Sequence, residues 1–304
     1  MKVIRDSKVR IKSKNNKRET DTLGITMELE KSLSIGDQLE KERKNLKSKK
    51  RRQVRDLIIR LIFIVLILVL AMFFFHINKT YEPKAYTQDL IKSDSEINII
   101  YDKDDNLVLS PYNRANKEAI IIYPSSGIEP KGYVGIGRKL ASMGYKVVIA
   151  KIPMNYPFFS FNKADKIISA NPKELSWYLV AHNTSGEVAA KAATGNKKIM
   201  GVVFMGTYPI SEDLRVINEP VLTIWGTNDG VLDFSKFNTY KANLPTGAKY
   251  QEIVGGNNTN FADVEIISKD HKSRISTASQ QDKAVKAIDR FILGISRYIF
   301  NNSR

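Results

Sequence analysis

The 304-residue chain contains no cysteine. That excludes a disulfide framework, a thiol nucleophile and thiolate metal sites, while remaining compatible with either redox compartment. Histidine is almost as scarce, with only His76, His182 and His271. Little is left for an imidazole metal centre or for general-base chemistry near neutral pH. No carboxylate pair, glycine-rich phosphate loop or His/Asp cluster stands out, so neither a metal nor an organic cofactor is expected. The sequence also lacks internal repeats and low-complexity segments.

Positive charge is abundant, but it is unevenly spread. The formal charge is +16. Residues 1–56 hold 18 Lys/Arg against 9 Asp/Glu, a net of +9, and the other 248 residues hold 30 against 23, a net of +7. The first fifth of the chain is polar and poor in aromatics, which predicts a largely disordered tail, with a short helix possible around Ile25–Leu46. Its basic run 47–55, KSKKRRQVR, has no interleaved aromatics and no nucleic-acid fold beside it. A nucleic-acid partner is therefore not expected.

One long apolar run follows, LIIRLIFIVLILVLAMFFF, from Leu57 to Phe75. Nineteen helical residues span roughly 28 Å, close to the roughly 30 Å hydrocarbon core of a bilayer. Arg60 sits one turn inside and can snorkel to the head groups. A buried core helix would carry a polar stripe, and none breaks Leu61 to Phe75. The following residues, HINKTYEP, offer no small-residue cleavage site for a signal peptidase. Residues 57–77 are thus expected to form a single transmembrane helix. The basic cluster on its N-terminal side predicts a cytoplasmic N-terminus and an extracytoplasmic C-terminal domain in the cell membrane. The same cluster would attract anionic lipid head groups, at about 1 kcal/mol per Lys or Arg near the surface.

After a linker at 78–95, the pattern over 96–304 alternates short Val/Ile-rich segments with amphipathic ones. Strands are expected at 97–101, 107–109, 119–123, 146–151, 176–181, 199–205, 221–225 and 250–254. Helices are expected at 134–143, 163–170, 186–193, 234–242 and about 278–300. The fold class is α/β, a mostly parallel central sheet with helices on both faces. Ligand groups in such folds gather at the C-terminal ends of the strands. The loops there read Ser125-Ser126-Gly127, Asn183-Thr184-Ser185-Gly186, Thr227-Asn228-Asp229-Gly230 and Gly255-Gly256-Asn257-Asn258.

These segments, in this order from Ala119 to about Phe291, resemble the α/β-hydrolase fold family, specifically compact bacterial members without a large cap. AIIIYPSSGIEPKGYVGIGRKLASMGYKVVIAKIPMN looks like the family's first strand, oxyanion loop, helix and second strand. WYLVAHNTSGEVAAKAA occupies the place of the nucleophile elbow, PVLTIWGTNDGV that of the acid loop and IVGGNNTNFAD that of the histidine loop. The resemblance implies a nucleophilic serine, a histidine base and an orienting acid. Carried over residue by residue, the nucleophile position holds Asn183 and the base position Asn258, with only the acid matched, at Asp229. The oxyanion-loop equivalents are Ser125, Ser126 and Thr184.

An amide cannot form the acyl intermediate, and Asn258 does not titrate. The resemblance therefore implies a pseudoenzyme, a membrane-tethered binding or scaffold module for an envelope ligand or protein partner. The alternative is an active ester or acyl hydrolase using Ser185 and His271 with Asp229. For Ser185 the competing reading is an N-cap of the helix at Gly186; for His271 it is an exposed loop residue, and for His182 a packed core side chain. A third reading places the specific partner on the cytoplasmic tail.

Overall fold

A computed structural model describes residues 3–77, 80–113, 118–173 and 176–302, with side chains described at 24–75, 80–113, 118–173 and 176–301. The chain divides into two compact units, 1–72 and 73–304.

The first helix, α1, runs Val3–Ile77. Residues 24–75 are exposed throughout, and within them lies the apolar stretch long enough to cross a membrane. An all-apolar helix that no protein surface covers is not a core helix. The tail expected to be largely disordered is helical in the structure from Val3 onward. It has no proline and is rich in Lys, Arg, Glu and Leu, all good helix formers. Local pairs such as Glu40–Lys44, 2.8 Å apart, add a few tenths of a kcal/mol each.

The second unit is built on eight strands. These are β1 (Ile97–Tyr101), β2 (Leu107–Pro111), β3 (Glu118–Tyr123), β4 (Lys146–Ile149), β5 (Ser176–His182), β6 (Ile199–Met205), β7 (Val221–Gly226) and β8 (Lys249–Ile253). They form one sheet in the order β1-β2-β4-β3-β5-β6-β7-β8. Among these eight strands the β1–β2 and β2–β4 pairings are antiparallel and the others parallel. Its helices are α2 (Thr87–Leu90), α3 (Val134–Ser142), α4 (Lys163–Ala170), α5 (Gly186–Gly195), α6 (Asp213–Val216), α7 (Phe234–Tyr240) and α8 (Thr277–Asn302).

Strand β3 shows why the sheet is covered on both sides. Ile120 and Ile122 join one hydrophobic cluster with α3 and α8 residues such as Leu140, Ile288 and Ile292. Ala119, Ile121 and Tyr123 join a second cluster with Ile167 of α4 and Val188 of α5. Successive side chains of a strand point to opposite faces, so a strand with no polar face must be buried twice. Each fully buried isoleucine contributes about 1.5–3 kcal/mol.

The stretch read as a linker, 78–95, is part of the domain from Tyr81 on; residues 78 and 79 lie outside the described residues. The Tyr81 N–H donates to Gly127 O at 2.8 Å and Lys84 N–H to Asp263 O at 2.8 Å. The Tyr86 hydroxyl donates to Asp263 at 2.7 Å, and Leu90 and Ile91 pack on the α3–α8 cluster. Sequence patterning misses this because the segment has no periodic face of its own. Its order comes from docking.

Candidate active site

The loops after β3, β5, β7 and β8 converge at the C-terminal ends of the parallel strands. Between β5 and α5 the chain turns sharply through Asn183, whose φ is 47°. Asparagine tolerates this left-handed region better than most non-glycine residues. Gly186 then lets α5 approach the next loop, because a Cβ there would lie 2.7 Å from Thr207 Oγ1 and 2.8 Å from Tyr208 O.

Beneath this turn lies a buried chain of polar groups. The Ser125 N–H donates to the Tyr133 hydroxyl at 2.8 Å. That hydroxyl lies 2.7 Å from His182 Nδ1, so it donates its own proton there and Nε2 carries the ring proton. Nε2–H reaches Asn258 Oδ1 at 3.0 Å and Asn258 O at 3.1 Å. Asn258 Nδ2 donates both of its hydrogens, to Asp229 Oδ2 at 2.8 Å and to Gly206 O at 3.1 Å. Asp229 Oδ1 accepts from the N–H groups of Val231 at 2.9 Å and Leu232 at 2.7 Å. Gly206, at φ 57°, is a requirement of this packing, since a Cβ would stand 2.4 Å from Asn258 Nδ2.

Asn258 is 0% exposed and His182 is 0% exposed. The triad-equivalent acid and base positions are together, but the amide faces inward, with both N–H donors and one acceptor site of Oδ1 taken by Asp229, Gly206 and His182. Asn183 makes no hydrogen bond to either of them among the described residues. Burial pushes the Asp229 carboxyl above its ordinary value, opposed by its hydrogen bonds from Leu232, Asn258 and Val231.

The oxyanion side is filled in the same way. The Ser126 N–H donates to Thr184 Oγ1 at 2.8 Å, and the two hydroxyls of Ser126 and Thr184 lie 2.9 Å apart. With the Ser125 N–H held by Tyr133, the amide donors of this loop are spent on the protein itself.

The members of the alternative constellation are not linked by hydrogen bonds among the described residues. Ser185 is buried, and its hydroxyl donates to Pro124 O rather than capping α5. His271 is exposed on the loop before α8. Its backbone carbonyl accepts from Asn257 Nδ2 at 2.7 Å. No hydrogen bond joins His271 to Ser185 or Asp229 among the described residues. Nor do the described residues contain three or more His, Asp or Glu side chains grouped to hold a metal ion. A groove of about 700 Å³, lined by Leu222, Tyr250, Phe291 and Ile295, lies at the β8 edge, away from this site.

Sequence reasoning did not find Tyr133 or Gly206 as members of the network. Tyr133 follows Pro130-Lys131-Gly132 and Gly206 closes an apolar strand, and nothing local signals a partner 49 residues away, as His182 is from Tyr133.

His182 makes the network sensitive to acid. Burial pushes its imidazole from 6.5 down to about 4, against the opposite pull of the Asn258 hydrogen bonds. The unfolded chain takes up this proton near pH 6.5, while the folded chain resists until about pH 4. The stability tied to neutral His182 is thus complete above pH 6.5 and is lost as pH falls toward 4. At 1.36 kcal/mol per pKa unit, the loss reaches about 3 kcal/mol. Urea midpoints measured between pH 4 and 7 should fall with acidity, and His182→Gln should flatten the slope within that window. An equally steep slope in the variant would remove His182 as the cause.

The strand order, the turn after β5 and the acid loop after β7 define the α/β-hydrolase class. Residues 119–282 match the alpha/beta hydrolase family, and the chain belongs to that family. No curated protein matches it. Among solved structures, it is similar to a predicted CIB-like hydrolase from Thermoplasma acidophilum, with 11% identity and a TM-score of 0.50, over 64% of this chain and 98% of that one. It is also similar to the dienelactone hydrolase from Anabaena variabilis ATCC 29413, with 12% identity and a TM-score of 0.52, again over 64% and 98%. Identities this low show the fold alone.

Proposed function

We propose that this protein is a membrane-anchored, non-catalytic member of the family, a binding or scaffold module for an envelope ligand or protein partner. The observation that carries the reading is Asn258. It stands in the place of the histidine base, fully buried, and its amide bonds Asp229, Gly206 and His182 instead of facing a substrate. Asn183 at the turn adds no nucleophilic atom, and the Thr184 hydroxyl occupies a loop amide that an oxyanion would need.

Full-length protein in detergent should take no label from a fluorophosphonate probe under conditions that label a serine esterase. Stoichiometric labelling abolished by Ser185→Ala would overturn the reading in favour of catalysis.

The anchor is the uncovered apolar helix, with Lys47 to Arg55 on its cytoplasmic side, where the basic run meets anionic lipid. Protease added to intact cells should remove the domain from residue 80 onward and spare the tail. Protection of the domain with loss of the tail would reverse the orientation.

A further inference from the structure

The loop between β4 and α4 displays aromatic side chains on a rigid mount. Met154 and Asn155 both have positive φ, 52° and 50°, which turns the chain outward. Asn155 N–H donates to Ile152 O at 3.0 Å, Tyr156 N–H to Pro153 O at 3.0 Å and Ser160 N–H to Pro157 O at 2.9 Å. Pro157 and Ser160 are buried, so the two residues between them point away from the protein. Phe158 is 45% exposed, Phe159 47% and Phe161 41%. The rings support one another, with Phe158–Phe161 centroids 6.1 Å apart and Tyr156–Phe159 centroids 5.4 Å apart. Scattered exposed apolar residues are ordinary, but a clustered aromatic patch on a fixed loop marks an interaction surface.

The base of this loop is bonded close to where the chain enters the domain. Gly127 O accepts from Tyr81 N–H at 2.8 Å, while Gly127 N–H donates to Asn155 O at 2.9 Å. One residue therefore ties the point where the chain enters the domain to the base of the aromatic loop. Tyr81 follows Phe75, the end of the apolar run, by six residues, which span at most about 21 Å when fully extended. The interfacial layer of a bilayer takes up roughly 5–7 Å of that reach. The base of the aromatic loop is thus bonded beside the point where the chain enters the domain. Exposed Phe and Tyr are the side chains that partition into that layer.

We infer that Phe158, Phe159 and Phe161 dip into the interfacial layer of the membrane that anchors the chain, so that the candidate-site rim faces lipid. This rests on the anchor proposed above. The absence of cysteine makes the test direct, since a single engineered thiol is a unique label site. Full-length Phe159→Cys, carrying an environment-sensitive NBD label, is reconstituted in phosphatidylcholine–phosphatidylglycerol vesicles with or without a doxyl quencher near the head groups. Lys197→Cys, exposed just before β6 at the opposite rim, is the control.

The Phe159 label should be blue-shifted and quenched by the doxyl lipid, and the Lys197 label should show neither. Adding Phe158→Ser and Phe161→Ser to the Phe159-labelled protein should weaken the quenching. If the protein floats with the vesicles but the two labels behave alike, the inference fails and the anchor stands. A blue shift without lipid quenching would also overturn it, pointing to protein cover instead. If the protein does not float with the vesicles, both the anchor and the inference fall.

Discussion

Asn258→Leu should destabilise the domain by about 4 kcal/mol, the largest stability effect expected of a single substitution in the site. Leucine fills much the same space but leaves two buried groups without partners, Asp229 Oδ2 and Gly206 O, and leaves the His182 Nε2–H with only the backbone carbonyl of residue 258. An unsatisfied buried polar group costs about 1–3 kcal/mol, and more if charged. Asp229 is 5% exposed, so water cannot readily replace the amide. For a domain of this size each kcal/mol moves the melting temperature by about 2–4 °C, so a fall of roughly 10 °C is expected. Asn258→His should cost less, because an imidazole can still donate to Asp229. Thermal unfolding of the full-length protein in detergent distinguishes the two. A leucine variant within about 1 kcal/mol of the natural protein would mean that the network contributes little.

Catalysis should emerge only when several positions change together. Asn183→Ser alone supplies a hydroxyl with no base, and Asn258→His alone supplies a base with nothing to activate. Members of a triad act as a unit, so neither single variant should exceed the natural protein. The double variant should turn over an activated ester and take a fluorophosphonate label. Two features favour it: the turn at residue 183 is already in the left-handed region, and Asp229 already stands 2.8 Å from the side chain at 258. Its rate should remain limited by the oxyanion loop, where Thr184 Oγ1 holds the Ser126 N–H. Adding Thr184→Ala should free that donor and raise kcat by about 10²-fold, the usual worth of one oxyanion donor. No gain from Thr184→Ala in an active double variant would show that Thr184 is not the obstruction. Turnover by the natural protein, lost on Ser185→Ala or His271→Ala, would refute the non-catalytic reading itself.

Much of this molecule is written in local pattern. Runs such as Ala119-Ile120-Ile121-Ile122 have no polar face and so specify strands buried on both sides. The spacing of Ala284, Ile288 and Ile292 specifies the buried face of α8. The uninterrupted apolar stretch from Leu61 to Phe75 and the basic cluster before it need no tertiary information. The two asparagines, at the places where the α/β-hydrolase resemblance implies serine and histidine, are visible by reading the loops in order.

What tertiary structure alone decided is how the polar side chains pair. Whether Asn258 would face a substrate or turn inward depended on His182, 76 residues away in sequence. Whether Ser185 could serve as a nucleophile depended on Pro124, 61 residues away, whose carbonyl accepts its hydroxyl hydrogen bond. The same holds for residues 80–95, whose order comes from docking on Gly127 and Asp263, and for the aromatic rings of the β4–α4 loop, whose exposure depends on what fails to cover them. Apolar burial is non-directional and follows sequence period, so it is legible one element at a time. Hydrogen bonds are directional and need partners within about 3 Å, and only the folded chain brings those partners together.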